Sequence, residues 1–260
     1  MIPKVIHYIW LGGKKYPGVV KECLDSWTQH LPYYKIIRWD ESNIPKDIPF
    51  VNHMLKKEQW AFASDCLRFW VLYHHGGIYM DTDMRIFQDF DPLIKEDALF
   101  FGKENESVVS GGIFGCDKHN QIMHHCLVDY LKYKNSSEID HLNLNDLVVP
   151  KLITSQLKKF QFVSDKNEYQ KNEFFTIYPT EVFYPISFDQ RIDIDSFKPT
   201  ELNYGIHLWN ASWHDEFQNI THKKFRKSIT IFLKKLIKNQ VTPLHFMRYC
   251  KRLICTYLGI

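Results

Sequence analysis

Apolar and polar positions switch between two periods along the first half of the chain, and the switches mark out elements. "KVIHYIW", residues 4–10, is a β-branched and aromatic run ended by Gly12-Gly13, a pattern that predicts a buried strand. "VVKECLDSWTQHLP" sets Val20, Leu24, Trp27 and Leu31 at helical spacing and stops at Pro32, and "YKIIRWD" predicts a second strand. Strand, helix, strand in that order signals a parallel sheet covered by helices. The longest helical pattern runs from Lys56 to His75 and ends on Gly76-Gly77, a C-terminal cap.

Beyond it, "IYMDTD", "ALFFGKE" and "VVSGGIFGC" predict strands, the last with Gly111-Gly112 permitting close backbone approach. "NQIMHHCLVDYLKYK" predicts a helix, and the polar stretch 135–147 a loop leading into a helix near Leu152. "FFTIYPTEVFYPI" is rich in aromatics and prolines and predicts an irregular or edge segment rather than a central strand. "GIHLWNASW" predicts a last strand running into a loop. No internal repeat, low-complexity tract or clean linker divides the chain.

Charge adds an asymmetry. The net charge of the 260 residues is +3, yet no Asp or Glu follows Glu216, while ten basic residues do. The rest of the chain then holds 23 basic against 30 acidic residues, a net charge of −7. A mildly acidic body with a basic end does not have the composition of a nucleic-acid-binding protein. The expected division is a body over residues 1–216 and a basic, amphipathic helical tail over 217–260. The aromatic content of 15% suits a thick core and a site that stacks on ligand rings. Six cysteines without C-x-x-C spacing predict reduced, buried thiols. The first residues enter a core strand directly, with no signal-peptide pattern, and no apolar run approaches the roughly 18 residues of a membrane span.

Candidate chemistry starts at "GGIYMDTDM", residues 76–84. In a strand, residues i and i+2 share a face, so Asp81 and Asp83 are expected to point together. Two carboxylates that close repel unless a cation lies between them. A calcium EF-hand loop fails because Arg85 and Ile86 occupy its last positions, and a haloacid-dehalogenase-like phosphatase fails because Arg85 stands where Thr or Val is required. What remains is a divalent ion held against nucleotide phosphates, or two solvated aspartates at a strand end. On the preceding helix, Asp65 and Arg68 are spaced i, i+3 in an otherwise apolar stripe, as a structural ion pair or a polar anchor for a ligand.

"WAFASDCLRFWVLYHHGGIYMDTD" resembles the signature of glycosyltransferase family 32, the D-x-D sugar transferases. That family includes outer-chain α-mannosyltransferases and bacterial capsular or lipopolysaccharide transferases; the likeness to the glucosylating domain of large clostridial toxins is more distant. "IPKVIHYIWLGG" resembles its first strand and "YGIHLWNASW" its C-terminal element, so the matches span residues 2–213 in order.

The resemblance implies an α/β fold of GT-A type, with a mixed, mostly parallel sheet flanked by helices. It implies Trp10 as the platform for the nucleotide base, with the Ile9 backbone at the base edge. Asp65 and Arg68 would hold donor-sugar hydroxyls, with Arg68 also near the diphosphate. Asp81 would lie between donor and metal, Asp83 would ligate the metal and His207 would be the C-terminal ligand. Gly111 and Gly112 would line the pocket, and Asn210, Ser212 and Trp213 would lie near phosphates or sugar. Many relatives carry Asn where this chain has Ser110, which bears on the acceptor side.

The implied reaction is retaining transfer of a hexose from a nucleotide-diphosphate sugar, a UDP-sugar favoured, with Mn²⁺ or Mg²⁺. The acceptor would be a glycan or lipid-linked oligosaccharide in surface polysaccharide synthesis. None of these assignments supplies a nucleophile or a general base. The alternatives are a metal-dependent phosphohydrolase and a non-catalytic carbohydrate- or sugar-nucleotide-binding protein. The tail's interleaved apolar and basic residues suggest docking of residues 222–260 on an anionic membrane. The expected location is the cytoplasm, with the protein peripheral on the inner face of the cell membrane.

Overall fold

The first strand, β1 (Val5–Ile9), pairs in parallel with β2 (Lys35–Trp39) across α1 (Gly18–His30). The structure, a computed structural model, describes residues 1–95, 97–190, 194, 196–210, 220, 225–237, 241 and 243–258. They form two compact units, Met1–Trp209 and Asn210–Ile260.

In the first unit the chain continues through α2 (Pro49–Lys56), α3 (Trp60–His75), β3 (Gly77–Met80), β4 (Met84–Ile86), α4 (Asp91–Ile94), β5 (Leu99–Lys103) and β6 (Val109–Cys116). Then come α5 (Gln121–Leu131), α6 (Ser136–Asp140), α7 (Val149–Lys158), β7 (Gln170–Lys171), β8 (Thr176–Tyr178), α8 (Thr180–Phe183) and β9 (Gly205–His207). Seven strands make one sheet in the order β2-β1-β3-β6-β5-β8-β7; β4 and β9 pair separately. Only β6 and β7 run against the other five strands of the large sheet. The mixed, mostly parallel α/β sheet expected of a GT-A fold is therefore borne out.

Strand alternation sends side chains to two cores. Tyr79 joins Phe101, Phe114 and the helices α2, α3 and α5 on one face. Ile78 and Met80 join Ile6, Tyr8, Phe100 and Trp27 of α1 on the other. The turn from α3 into β3 needs glycine: Gly76 and Gly77 have φ of 65° and 97°, and a Cβ on Gly77 would stand 2.5 Å from the Val5 carbonyl. His7 seals this corner. Its Nδ1 accepts from the Trp39 indole at 3.0 Å and its Nε2–H donates to the Gly76 carbonyl at 2.9 Å. Burial lowers its pKa to about 4, so the neutral ring is the one present.

Three expectations are corrected. The helix predicted from Lys56 begins at Trp60, because Glu58 adopts φ of 55° and ends the separate helix α2, which starts with Pro49 in its first turn. "IYMDTD" stops being a strand at Met80. "FFTIYPTEVFYPI" contains β8, which lies inside the sheet between β5 and β7 rather than at its edge. Its strand ends one residue before Pro179, so the missing proline N–H costs the ladder nothing. The stretch 135–147 holds α6 and a 3₁₀ turn, and the helix expected near Leu152 is α7.

In the second unit two helices, Phe225–Ile237 and Pro243–Leu258, share a small core of Phe232, Tyr249 and Ile220. The Phe232 and Tyr249 rings stack at 3.8 Å, and the Ser228 and Tyr249 hydroxyls are 2.9 Å apart.

Candidate active site

Asp81 and Asp83 do converge, by a turn rather than by strand alternation. After β3 the chain bends, with the Met84 amide donating to the Asp81 carbonyl at 3.0 Å and the Asp81 amide to the Gly112 carbonyl at 2.7 Å. The short ladder β4–β9 then sets Met84 opposite His207. The Asp83 carbonyl accepts from the Leu208 amide at 2.9 Å, so the D-x-D turn and the C-terminal strand are tied by backbone as well as side chain. His207 Nε2 lies 3.1 Å from Asp83 Oδ1, both residues being buried.

One ligand atom from each of Asp81, Asp83 and His207 lies within 4.8 Å of the others. Two carboxylate oxygens and one imidazole nitrogen suit a hard or borderline divalent ion such as Mg²⁺ or Mn²⁺. The electrostatics fit the same reading. Burial pushes the Asp81 pKa up against the pull of Arg68, and Asp83 pushes it further in the same direction. Burial would lower the His207 pKa, but Asp83 and Asp81 outweigh it and raise it. His207 Nδ1 is buried without a hydrogen-bond partner. An added cation relieves the carboxylates and gives the imidazole a partner.

Arg68 organises the other side. From α3 its guanidinium donates to Asp65 Oδ1 at 2.9 Å and to the Gly111 carbonyl at 2.7 Å, and it stands 3.4 Å from Asp81 Oδ1. It also lies over the Tyr79 ring, 4.6 Å from the centroid. Burial opposes its charge, yet Tyr79, Asp81 and Asp65 together hold it firmly protonated. Asp65 is buried enough that its pKa rises to about 6 despite Arg68. Gly111 has no room for a side chain, since a Cβ there would run into Val149. That absence brings its carbonyl up to Arg68.

The structure thus brings Asp65, Arg68, Asp81, Asp83, His207, Gly111 and Gly112 together. Ile9 closes β1 and is buried. Trp10, half-buried, is held by its indole N–H on the Lys14 carbonyl at 2.7 Å, with its ring edge-on to Tyr16. Asn210 follows directly on Trp209, the last residue of the first unit. Ser212 and Trp213 lie outside the described residues.

Other residues of the site were not singled out from the sequence. The Tyr79 hydroxyl donates to Asp81 Oδ1 at 2.8 Å; its place two residues before Asp81 was the available signal. Trp209 packs edge-on against His207 with ring centroids 4.2 Å apart, and its indole donates to the Ile186 carbonyl at 2.8 Å. Its φ of 50° is uncommon outside glycine. Tyr184 packs on both of these rings, with its hydroxyl buried. Burial raises the Glu104 pKa, while His207 and a hydrogen bond from Ser110 oppose the rise.

Comparison with known proteins agrees with the D-x-D reading. Residues 17–100 match the glycosyltransferase sugar-binding region containing the DXD motif, and residues 115–230 match the alpha 1,4-glycosyltransferase conserved region. Human lactosylceramide 4-alpha-galactosyltransferase is 26% identical over 154 residues, covering 56% of this chain and 41% of that protein. Inositol phosphoceramide mannosyltransferase 3 of Schizosaccharomyces pombe is 31% identical over 127 residues, covering 45% of this chain and 34% of its own. Human alpha-1,4-N-acetylglucosaminyltransferase is 26% identical over 164 residues, covering 62% and 46%. The matched region spans less than half of each of these relatives. Among solved structures, PaToxG glycosyltransferase shares the fold with a TM-score of 0.51 at 20% identity, over 61% of this chain and 70% of that one. The resemblance to D-x-D sugar transferases is borne out.

Proposed function

We propose that this chain is a metal-dependent glycosyltransferase that moves a hexose, with retention, from a nucleotide-diphosphate sugar to a glycan or lipid-linked acceptor. The observation that carries the reading is the convergence of Asp81, Asp83 and His207 on one point beside the buried Arg68. The printed activities of the relatives support it: each transfers a sugar, two of them to ceramide-based lipids. A UDP-sugar is the favoured donor, and surface polysaccharide synthesis the favoured setting.

Departure of a nucleoside diphosphate leaves new negative charge on its phosphates, so the site must supply fixed positive charge. Mn²⁺ or Mg²⁺ held by Asp81, Asp83 and His207 would neutralise that leaving group. Arg68 contributes from the opposite side: anchored on Asp65 and the Gly111 carbonyl, it needs no reorganisation to face the diphosphate. Tyr79 occupies Asp81 Oδ1 and fixes the rotation of that carboxylate. Trp209 packs edge-on against the His207 ring and restricts its rotation. Asp65 and Arg68 are the groups placed to take donor-sugar hydroxyls, and Trp10 to carry the base. Gly111 and Gly112 let Val149 and Tyr184 pack directly against the backbone beside Arg68 and Asp81. No residue is assigned as a covalent nucleophile.

The test is nucleoside-diphosphate release from a panel of UDP- and GDP-sugars with Mn²⁺, Mg²⁺ or EDTA, with Asp83→Asn alongside. Release from one donor that needs the metal and disappears in the variant is expected. Silence across the panel, with no metal-dependent nucleotide binding, would leave a binding protein as the better reading.

A further inference from the structure

Asp65, Arg68, Asp81, Asp83 and His207 all lie in the first unit, and the two helices of the second have a different character. Its two helices already bury one apolar face against each other through Phe225, Phe232, Tyr249 and Leu253. A helix that has spent its apolar stripe is expected to show a polar face to water. Helix Phe225–Ile237 instead exposes Ile229, Leu233, Leu236 and Ile237, spaced i, i+4, i+7, i+8 and therefore on one side. Helix Pro243–Leu258 likewise exposes Met247, Ile254 and Leu258, at i, i+7 and i+11 on a single side. The exposed Lys251 falls on that same side, and the exposed Arg226 flanks the stripe of the other helix.

What covers such a surface is decided by charge and by length. From residue 217 to 260 there is no acidic side chain against ten basic ones, so an acidic or anionic partner is complementary and a second copy of the same surface is not. The longer helix has 16 residues, about 24 Å of rise against a hydrocarbon core of about 30 Å. Among the described residues no helix is long and apolar enough to cross a membrane. A helix with an apolar stripe, flanking cations and too short a span lies in the plane of an interface rather than across it.

We propose that the helices Phe225–Ile237 and Pro243–Leu258 form a platform that docks on an anionic phospholipid bilayer, inserting the stripes led by Leu233 and Ile254 among the acyl chains. The exposed Arg226 and Lys251 then meet the headgroups. The argument is independent of sugar transfer.

Flotation of the full chain with phosphatidylcholine vesicles, and with vesicles containing phosphatidylglycerol, reads the proposal directly. The companion variant is Leu233→Gln, Leu236→Gln, Met247→Gln and Ile254→Gln together; all four side chains are exposed, and an unchanged helical circular-dichroism spectrum checks that it folds. Binding to the anionic vesicles alone, weakened by salt and reduced roughly tenfold or more in the variant, is expected. Equal binding to both vesicles, undiminished binding of the variant, or no binding together with a dimer that the variant abolishes would each overturn it. Metal-dependent nucleotide release in solution should be the same in both proteins. Its loss in both, with flotation intact, would remove the transfer reading and leave this one.

Discussion

Asp83 and His207 stand 124 residues apart in the chain and 3.1 Å apart in the structure, with the imidazole Nε2 facing the carboxylate Oδ1. The pair is both a salt bridge and two-thirds of a candidate metal site, and those roles compete for one proton. Asp83 raises the His207 pKa above the 6.5 of a free imidazole. Burial raises that of Asp65 from 3.8 to about 6. Both groups therefore bind protons more tightly folded than unfolded, and each contributes stability below its unfolded pKa that is lost as pH rises through the folded one. The metal-free protein should lose Tm between about pH 4 and 6 through Asp65, and further above pH 6.5 through His207, relative to an Asp65→Asn, His207→Gln variant. Added Mn²⁺ should restore more Tm at pH 8 than at pH 6, because the ion must displace the imidazole proton. Thermal unfolding at three pH values reads both; a wild-type Tm that rises across that window relative to the variant would contradict the assignment.

Arg68 is the cation that stands between the Asp65 and Asp81 side chains. Arg68→Ala strands both carboxylates in a buried site and is expected to cost about 3–5 kcal/mol by urea denaturation. Arg68→Lys keeps the charge but cannot reach Asp65 and the Gly111 carbonyl at once, so it should fold better than Arg68→Ala and still lose donor turnover. Equal stability of wild type and Arg68→Ala would mean that the ion pair is solvated in a way the geometry does not allow.

Gly112 and Tyr184 should be coupled. A Cβ on Gly112 would stand 2.8 Å from the Tyr184 hydroxyl and 3.2 Å from Asp81 Oδ2. Gly112→Ala is expected to destabilise by about 1–3 kcal/mol. Tyr184→Phe alone removes a buried hydroxyl that faces Ser110, so it should cost about 1 kcal/mol or less. In the double variant the clash with the hydroxyl is gone, and a double-mutant cycle should show recovery of part of the Gly112→Ala cost. Strict additivity would place the two groups farther apart than they are.

Trp10 presents a half-buried ring fixed by Lys14 and Tyr16. Trp10→Ala should weaken nucleotide binding by about 1–3 kcal/mol, with Trp10→Phe in between. Titration of UDP and GDP against both variants gives the measurement, and unchanged affinity would move the base elsewhere.

Much of this was legible in the chain because local pattern and packing agree. β1, α1, β2 and β6 follow from residues that are apolar at the period their element requires, and Asp65, Arg68, Asp81, Asp83 and His207 meet as the family signature implies. The misses share a physical cause, which is that single backbone conformations override periodicity. Glu58 at φ of 55° splits what reads as one helix. The turn after Met80 replaces three expected strand residues, so Asp81 and Asp83 converge for a reason other than alternation. Pro179 sits one residue past β8 and made an internal strand look like an edge. Tyr79, Trp209 and Tyr184 escaped notice because their contribution lies in where a ring packs, which no spacing encodes.

The placement of His207 on the last strand of the first unit has a consequence for how the molecule is made. While the ribosome has delivered only the D-x-D turn, Asp81 and Asp83 have no imidazole partner, and the β4 edge has nothing to pair with. Emergence of residues 205–207 completes the ladder and the ligand set in one event of high contact order. A chain cut short before that point keeps every strand of the large sheet and all of α3 but lacks His207, so the cluster of Asp81, Asp83 and His207 is among the last features of the first unit to form.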